Sequence, residues 1–424
     1  MGISNDDVVL EIREPESAGE PSVLTISCPD KTGLGCDLCR VILLFGLNIV
    51  KGDMSTDGRW CYIVFWVLGR GKRATRWSLL KKRLLQMCPE VSMALVADEV
   101  GVVVQKPQVY FLKFSCYDRM GLLHDVTQVL CELELTIRNV KVSTTPDGRV
   151  LDLFFITDNK EQLHLKMRRE ETCDKLSSVL GDSMTSCDIE VASDPISCCV
   201  NASLSLSPTV TEKMFAPELP KEESSLFPCN FPYCNSSGSG TSNSLSVKVD
   251  NLLSPAHTLI QIQSGDHKGL LYDIMRTLKD YNIQLSYGRF YTSQNGICEI
   301  DLFVVQMDGR KIVDPQIQEA LCFRLRMELY RPLRVILANR GPDTELLVAN
   351  PVEGSGKGRP LVFYDITHAL TILQVRIFLA EIGRHVVGDR EWEVYRVHLG
   401  EDHELSASHT KIVEQVTKML MGWD

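Results

Sequence analysis

Short runs of alternating apolar and polar residues are followed along this chain by longer stretches with apolar residues three or four positions apart. In residues 109–115, Tyr110, Leu112 and Phe114 alternate with their neighbours, which predicts a β-strand. In residues 123–133 the apolar residues recur at helical spacing, which predicts an amphipathic helix. Two more strand-like runs, a second helix and a short last run follow. This segment is therefore expected to fold as β-α-β-β-α-β.

The two central strand-like runs are joined by a turn that contains Asp147 and Gly148. Asp-Gly and Asn-Gly are strong hairpin signals because both turn residues adopt positive φ. The same signal returns at Asp57-Gly58 and at Asn295-Gly296. The strand pattern is thus repeated elsewhere in the chain.

The loop before the first helix is repeated as well. Residues 30–34, 118–122 and 266–270 all read Asp-x-x-Gly-Leu, and a worn fourth copy keeps only the helix start around Phe363–Ile366. One acidic position inside the helix is shared by all copies: Asp37, Asp125, Asp273 and Asp365. Self-similarity of this kind is typical of a repeat protein.

The repeats predict a domain organisation with six segments. They are an N-terminal segment (1–19), a first repeat (20–100), a second repeat (107–192), a linker (193–250), a third repeat (255–338) and a fourth repeat (344–424). The linker is rich in Ser, Asn and Pro, a composition that buries little apolar area. We therefore expect two pairs of repeats joined by a tether. Four aromatic residues of the linker are candidates for docking elsewhere: Phe215, Phe227, Phe231 and Tyr233.

The fourth repeat is degenerate, because the chain stops after a predicted helix over Thr410–Met421 without a last strand. An unpaired sheet edge invites aggregation, so another segment should cover it. The alternating run Asp7–Ile12 is the candidate. The third repeat is expected to keep its own last strand at Leu333–Leu337.

Composition narrows the class of protein. The net charge of −10 disfavours nucleic acid as a partner, because phosphate binding needs clustered Lys and Arg. Fifteen cysteines in apolar runs fit reduced thiols in a cytoplasmic or nuclear protein. No apolar run is long enough to span a bilayer, which predicts no membrane partner.

A βαββαβ unit with Asp-x-x-Gly-Leu between its first strand and first helix resembles the ACT domain. Four tandem copies without a catalytic domain resemble the plant ACT-domain-repeat proteins, over nearly all of residues 20–424 outside the linker. The resemblance implies an α+β fold of tandem ferredoxin-like domains, with antiparallel sheets pairing between repeats. It also implies that an amino acid binds between paired repeats and that the protein performs no chemistry.

The loops are the candidate ligand sites. The first amides of a helix lack internal partners and attract an anion such as an α-carboxylate, and an aspartate could hold the α-ammonium group. The candidate residues are Asp30, Gly33, Leu34, Asp118, Gly121, Leu122, Asp266, Gly269 and Leu270. An alternative stays open, in which each Gly only makes a tight turn and each Asp only caps amides. In the fourth repeat Val352–Pro360 replaces the loop, which favours a structural partner for the third repeat.

Other motifs in the sequence are weak evidence for a cofactor, a metal or catalysis. Gly69–Ala74 fits a dinucleotide fingerprint but follows the second arm of a hairpin, and the Cys36-x-x-Cys39 pair lacks a second pair at zinc spacing. His124 occupies a variable slot among the repeats. We therefore predict no catalytic residue, no metal and no cofactor.

The predicted function is a non-catalytic sensor whose ligand is a free amino acid. Glutamine is a guess that rests on the tandem ACT domains of nitrogen-sensing uridylyltransferases. A protein partner or a second copy of the chain could pair with the sheet edges. The alternative function is an interaction scaffold with vestigial ligand sites.

Overall fold

The chain divides into two compact units, each built from two repeats. The computed structural model describes residues 8–15, 17, 19–69, 75–89, 108–145, 147–192, 206–216, 245–340, 343–400 and 409–423. The first unit comprises Met1–Val102, Pro217–Pro332 and Met421–Asp424, and the second comprises Val103–Ala216 and Leu333–Leu420. No helix among these described residues is both long enough and apolar enough to cross a membrane.

The first unit holds the first and third repeats in one eight-stranded antiparallel sheet. Its strands are β1 (Val9–Arg13), β2 (Ser22–Pro29), β3 (Leu47–Thr56), β4 (Trp60–Gly69), β9 (Ser246–Asp250), β10 (Thr258–Gly265), β11 (Ile283–Thr292) and β12 (Ile297–Gln306). Its helices are α1 (Leu34–Leu44), α2 (Trp77–Met87), α6 (Leu270–Asp280) and α7 (Pro315–Tyr330). The sheet order is β1-β2-β4-β3-β11-β12-β10-β9, so the edges β3 and β11 join the two repeats.

The second unit holds the second and fourth repeats in the same arrangement. Its strands are β5 (Tyr110–Tyr117), β6 (Leu135–Thr144), β7 (Arg149–Asp158), β8 (Met184–Val191), β13 (Arg334–Arg340), β14 (Asp343–Pro351), β15 (Ile377–Val387) and β16 (Arg390–Leu399). Its helices are α3 (Leu122–Glu132), α4 (Lys166–Leu180), α5 (Pro208–Phe215), α8 (Val362–Ile372) and α9 (His409–Met421). The order is β13-β14-β16-β15-β6-β7-β5-β8. The predicted α+β fold, with antiparallel sheets pairing between repeats, is confirmed.

The expected pairing of neighbouring repeats is wrong. Repeats one and three pair through β3 and β11, and repeats two and four pair through β6 and β15. The expectation that the fourth repeat supports the third is wrong for the same reason. Strand edges present similar backbone groups in every repeat, so no local pattern records which repeats pair. Across the β3–β11 junction Asp53 lies 3.2 Å from Arg289.

The edge strands also differ from the expected βαββαβ order in three of the repeats. Residues 9–13 do form a strand, but β1 pairs with β2 of the first repeat and not with the fourth repeat. The fourth repeat is covered by β13, which contains the run assigned to the third repeat. The third repeat uses β9, from the end of the predicted linker. A preceding strand can take this edge because a short turn returns the chain antiparallel to its neighbour.

Part of the predicted linker is a docked helix. Ser207 accepts a hydrogen bond from Val210 N–H at 3.3 Å and Pro208 follows at the first turn, a favourable start for α5. Met214 is fully buried against Ile336, Leu347 and other residues of the second sheet, and Phe215 lies 5.1 Å from the ring of Trp392. Phe215 therefore docks, whereas the linker's other three aromatic residues lie outside the described part of the chain.

Candidate functional site

The loop before the first helix has one backbone geometry in all repeats. Gly33, Gly121 and Gly269 precede their helices with φ of 79°, 75° and 84°, and Leu361 takes the same left-handed conformation at 66° in the fourth repeat. Such a φ costs a residue with a Cβ about 1–2 kcal/mol, which explains the glycines. The tight-turn interpretation of these glycines is therefore part of their role.

Each loop is tied to the hairpin of its own repeat. The N–H groups of Asp30, Asp118 and Asp266 donate to the carbonyls of Arg59, Gly148 and Gly296, in each case at 2.8 Å. The hairpin turn and the loop, two separate sequence signals, thus form one structural element. This bond fixes the loop aspartate between the end of the preceding strand and the N-terminus of the helix.

The partner repeat approaches the loop glycine closely in two cases. A Cβ on Gly33 would lie 2.7 Å from Cδ of Lys279, and a Cβ on Gly121 would lie 3.1 Å from Cγ2 of Thr371. Both contacting side chains come from the first helix of the partner repeat. A glycine at these positions therefore also permits two repeats to pack at the loop.

The first loop opens onto a cleft in the first unit. The cleft has a cavity volume of about 90 Å³ and lies between residues 30–36 and the third-repeat residues Met275, Leu278 and Lys279. One water needs only about 10–15 Å³ on this measure, so the cleft holds several ligand atoms. Its apolar wall includes Met54 and Ile63.

Polar groups of both signs line the first cleft. The Asp30 carboxylate accepts a hydrogen bond from Thr56 Oγ1 at 2.7 Å. Among the described residues, the N–H groups of Thr32 and Gly35 have no hydrogen-bond acceptor. This arrangement can accept hydrogen bonds from an ammonium group and donate them to a carboxylate.

Asp37, in the first turn of α1, binds two ammonium groups. Its carboxylate lies 3.0 Å from Nζ of Lys31 and 3.2 Å from Nζ of Lys279. Burial would raise the pKa of Asp37, but Lys279 and Lys31 outweigh it and hold the pKa below its ordinary value. Asp37 therefore keeps the Lys279 side chain stretched across the loop.

The second loop borders a smaller cavity of about 30 Å³ in the second unit. Asp118, Gly121 and His124 line it from the second repeat, and Thr371 and Arg376 from the fourth. Burial raises the pKa of Asp118, and Arg376 opposes the shift. Asp152 of β7 also lines this cavity, although sequence analysis did not select it.

Asp152 is fully buried, and neither carboxylate oxygen has a hydrogen-bond partner among the described residues. Burial and the nearby Asp118 charge raise the pKa of Asp152 well above its ordinary value. The equivalent strand positions in the first and third repeats hold Ile63 and Ile300, both buried. One sequence signal could have identified Asp152. The alternation of β7 places this acid on the same, buried face of the strand as Phe154.

The third loop is closed by the end of the chain. The N–H of Lys268 donates to the Met421 carbonyl at 2.9 Å, and Asn48 donates to the Asp266 carboxylate at 3.1 Å. Trp423 lines the remaining cavity of about 20 Å³. The Lys268 amide and the Asp266 carboxylate, which would meet a ligand here, are bound to the protein itself.

The fourth loop is filled by a polar network. Asn350 donates to the Arg359 carbonyl at 3.1 Å, and Tyr395 donates to the Glu393 carboxylate. Arg384 lies 3.2 Å from the same carboxylate. These contacts tie the fourth loop to β14, and β15 to β16, through buried or half-buried side chains.

The predicted site residues lie in three equivalent loops, but they contribute differently. Leu34, Leu122 and Leu270 are buried core residues, and their N–H groups donate back to residues 31, 119 and 267 at 3.1, 3.2 and 3.1 Å. The aspartates, glycines and leucines of the three loops all border the cavities. Sequence analysis missed the partner-repeat residues Lys279 and Thr371, whose proximity no local pattern signals.

Comparisons with known proteins match the whole chain. Family models fit the N-terminal part of ACT domain-containing protein ACR10 at residues 12–89, an ACT domain at 110–174, an ACR9-like ACT-like domain at 246–343 and the C-terminal part of ACR9 at 344–422. The chain is 55% identical to ACR10 and 51% identical to ACR9, both of Arabidopsis thaliana, with 100% of each chain covered. A bifunctional uridylyltransferase/uridylyl-removing enzyme of Gluconobacter oxydans is 24% identical, over 48% of this chain and 18% of that protein. The chain therefore belongs to the ACR9- and ACR10-type family of ACT domain-containing proteins.

Proposed function

We propose that this chain is a non-catalytic regulatory protein that binds a free amino acid between paired ACT domains. ACT domains typically bind amino acids. The observation that carries the proposal is the first cleft, where the loop of one repeat faces a helix of another across a cavity of about 90 Å³. Glutamine stays a guess, because nothing in the cleft selects a side chain.

The cleft offers a partner for each part of an amino acid. The amides of Thr32 and Gly35 would hold the α-carboxylate at the positive end of α1. Asp30, oriented by Thr56, would hold the α-ammonium group. The side chain would lie along Met54 and Met275. Micromolar to millimolar affinity needs only about 4–8 kcal/mol, which such contacts can supply.

Regulation would follow from the position of the cleft between two repeats. A ligand that touches both the first loop and α6 binds best to one packing of the pair, so it stabilises that packing. The junction strands β3 and β11 would then exchange their amide hydrogens more slowly. A partner protein that recognises one packing would sense the amino acid.

A matched pair of glycine variants tests the ligand site. Gly33 and Gly46 flank α1 with φ of 79° and 69°, but only a Cβ on Gly33 would approach Lys279, since nothing lies within 4 Å of Gly46. Each alanine takes a left-handed φ, at a cost of about 1–2 kcal/mol in both variants. Gly33→Ala must in addition displace the Lys279 side chain, whose Cδ would lie 2.7 Å from the new Cβ. Only Gly33→Ala should also lose ligand binding.

The experiment is a thermal melt of the full chain against each of the twenty amino acids. A ligand at 100 times its Kd adds about 2.7 kcal/mol to folding stability. We expect one or a few amino acids to shift wild type and Gly46→Ala and to leave Gly33→Ala unshifted. Shifts that survive in Gly33→Ala would place the site elsewhere. The absence of any shift in wild type would favour the alternative function, an interaction scaffold with vestigial ligand sites. The third and fourth loops, which the protein's own groups close, fit that alternative.

A further inference from the structure

We propose that Cys173 and Cys187 form an oxidation site, where hydrogen peroxide converts their two thiols into a disulfide. Cys173 lies on α4, and Cys187 lies on β8, the edge strand of the second sheet. The disulfide would tie this edge strand covalently to the helix that packs on it. The site is separate from the ligand loops, so it stands or fails without the proposed function.

The two sulfur atoms are already in contact. Sγ of Cys187 lies 3.1 Å from Sγ of Cys173, although the two residues are 14 positions apart in the chain. A disulfide bond is about 2.05 Å long, so each sulfur needs to move only about 0.5 Å. The folded protein therefore brings the pair close to bonding distance.

The surrounding structure holds the two thiols together. Cys187 stands opposite the buried Phe114 of β5, and opposite residues of an antiparallel pair share one face of the sheet. Arg169, one turn before Cys173 on α4, donates a hydrogen bond to the Ile189 carbonyl of β8 at 3.4 Å. Residues four apart lie on one face of a helix, so the same face of α4 makes both contacts with β8.

The pair is accessible to a dissolved oxidant. Cysteines also serve simply as small apolar side chains, and those packed in a core are inert. Cys28 and Cys61 are of that kind, because their sulfurs lie 3.5 Å apart but the side chains are only 0% and 4% exposed. Cys173 and Cys187 are both half-buried. Peroxide should therefore reach this pair first.

The two thiols differ in acidity, which assigns their roles. The Cys187 thiol donates a hydrogen bond to the Cys173 sulfur and lowers the pKa of Cys173, although burial and the charges of Asp188 and Asp174 oppose the shift. The pKa of Cys187 is raised, first by the same contact and then by burial. The thiolate is the reactive form, so Cys173 attacks the peroxide and Cys187 completes the disulfide.

The reaction has two steps. The Cys173 thiolate attacks one peroxide oxygen, so that an S–O bond forms, the O–O bond breaks and hydroxide leaves, while the sulfur is oxidised to a sulfenic acid. The Cys187 sulfur then attacks the Cys173 sulfur, so that the S–S bond forms and the S–O bond breaks. The departing hydroxides take up the two thiol protons. One peroxide and two thiols thus give one disulfide and two waters, and a dithiol reductant reverses the oxidation.

Oxidation would restrain the edge of the second sheet. β8 stands at the end of the strand order, next to β5. Sheet edges and chain segments with few contacts open more readily than a core does. A covalent bond that closes the loop between α4 and β8 makes such opening rarer, so the edge should be held more firmly in the oxidised protein.

The test exposes the reduced, full-length protein to graded doses of hydrogen peroxide. Free thiols are then blocked with N-ethylmaleimide, and non-reducing peptide mapping by mass spectrometry locates each new bond. We expect the Cys173–Cys187 bond at doses that leave Cys28 and Cys61 as free thiols, and we expect dithiothreitol to remove it. In the oxidised protein the β8 amides should exchange about tenfold or more slowly.

Single variants test the two roles. Cys187→Ser should leave a sulfenic acid on Cys173 that dimedone traps, whereas Cys173→Ser should leave Cys187 unlabelled. The control is Cys322→Ser, because Cys322 is a half-buried thiol of α7 whose pKa is raised by burial, and this variant should form the bond like wild type. Circular dichroism confirms that all three variants are folded.

Three results would overturn the inference. The first is wild-type protein in which the core thiols oxidise before Cys173 and Cys187. The second is oxidation of the pair to sulfonic acids without a bond between them. The third is a cross-linked protein whose β8 amides exchange as fast as in the reduced protein, since the bond would then restrain nothing.

Discussion

Replacing Asp152 by isoleucine should stabilise the second unit, because it gives this repeat the residue found in the first and third. Removal of the unsatisfied buried carboxyl group recovers about 1–3 kcal/mol. A buried isoleucine side chain contributes about 1.5–3 kcal/mol. Tighter packing costs about 1–3 kcal/mol, reduced by the adjoining cavity of about 30 Å³. The net expectation is about 2 kcal/mol of added stability.

The pH dependence of this gain separates charge from packing. The raised pKa of Asp152 means that the folded state binds a proton that the unfolded state has released above about pH 4. Wild-type stability at this site therefore falls as pH rises through the interval between the unfolded and folded pKa values. The advantage of isoleucine should be larger at pH 7 than at pH 3.

Calorimetry with native-state hydrogen exchange on residues 150–156 of β7 measures both effects. For a unit of this size each kcal/mol is about 2–4 °C in Tm, so the expected rise is about 4–8 °C. Asp152→Asn should gain less, since its buried amide also lacks a partner. Loss of stability in Asp152→Ile, or a gain that is equal at pH 3 and pH 7, would refute the reasoning that an unpartnered buried carboxyl group destabilises the second unit.

Three further predictions concern other parts of the chain. Asp37→Asn should cost the first unit about 1–2 kcal/mol at pH 7. Because the Asp37 pKa is lowered on folding, this deficit should shrink as pH falls through the folded pKa, and urea titrations at steps of pH from 7 downwards follow it. Met214→Ala removes the buried side chain that anchors α5, so that helix should undock at a cost of about 2 kcal/mol or more. Limited proteolysis within residues 206–216 should then accelerate while the sheet stays protected. Unchanged proteolysis would contradict the docking. Burial raises the pKa of Cys39, so this thiol should resist Ellman's reagent at pH 8 until urea unfolds the chain, and mass-spectrometric detection of early labelling would contradict its place in the core.

Local sequence patterns predicted most of the secondary structure. The alternation in residues 109–115 gave β5, and the Asp147-Gly148 turn gave the β6–β7 hairpin, because both depend on neighbours in the chain. The average composition of the linker concealed α5, since a short helix with one buried methionine hardly changes that average. The edge strands were assigned to the wrong repeats for another reason: a strand fits an open edge from either side of its repeat.

The candidate site divides in the same way. The sequence by itself determined the repeat, the family resemblance and the loop, because a left-handed glycine and a hairpin turn need specific residues at fixed offsets. Only the tertiary structure decided which loops are open, since the first loop borders a cavity of about 90 Å³ whereas the Met421 carbonyl caps the third. It also turned Asp152 from one acid in a strand into a buried group beside a cavity. These outcomes depend on contacts between residues far apart in the chain, and no local pattern records them.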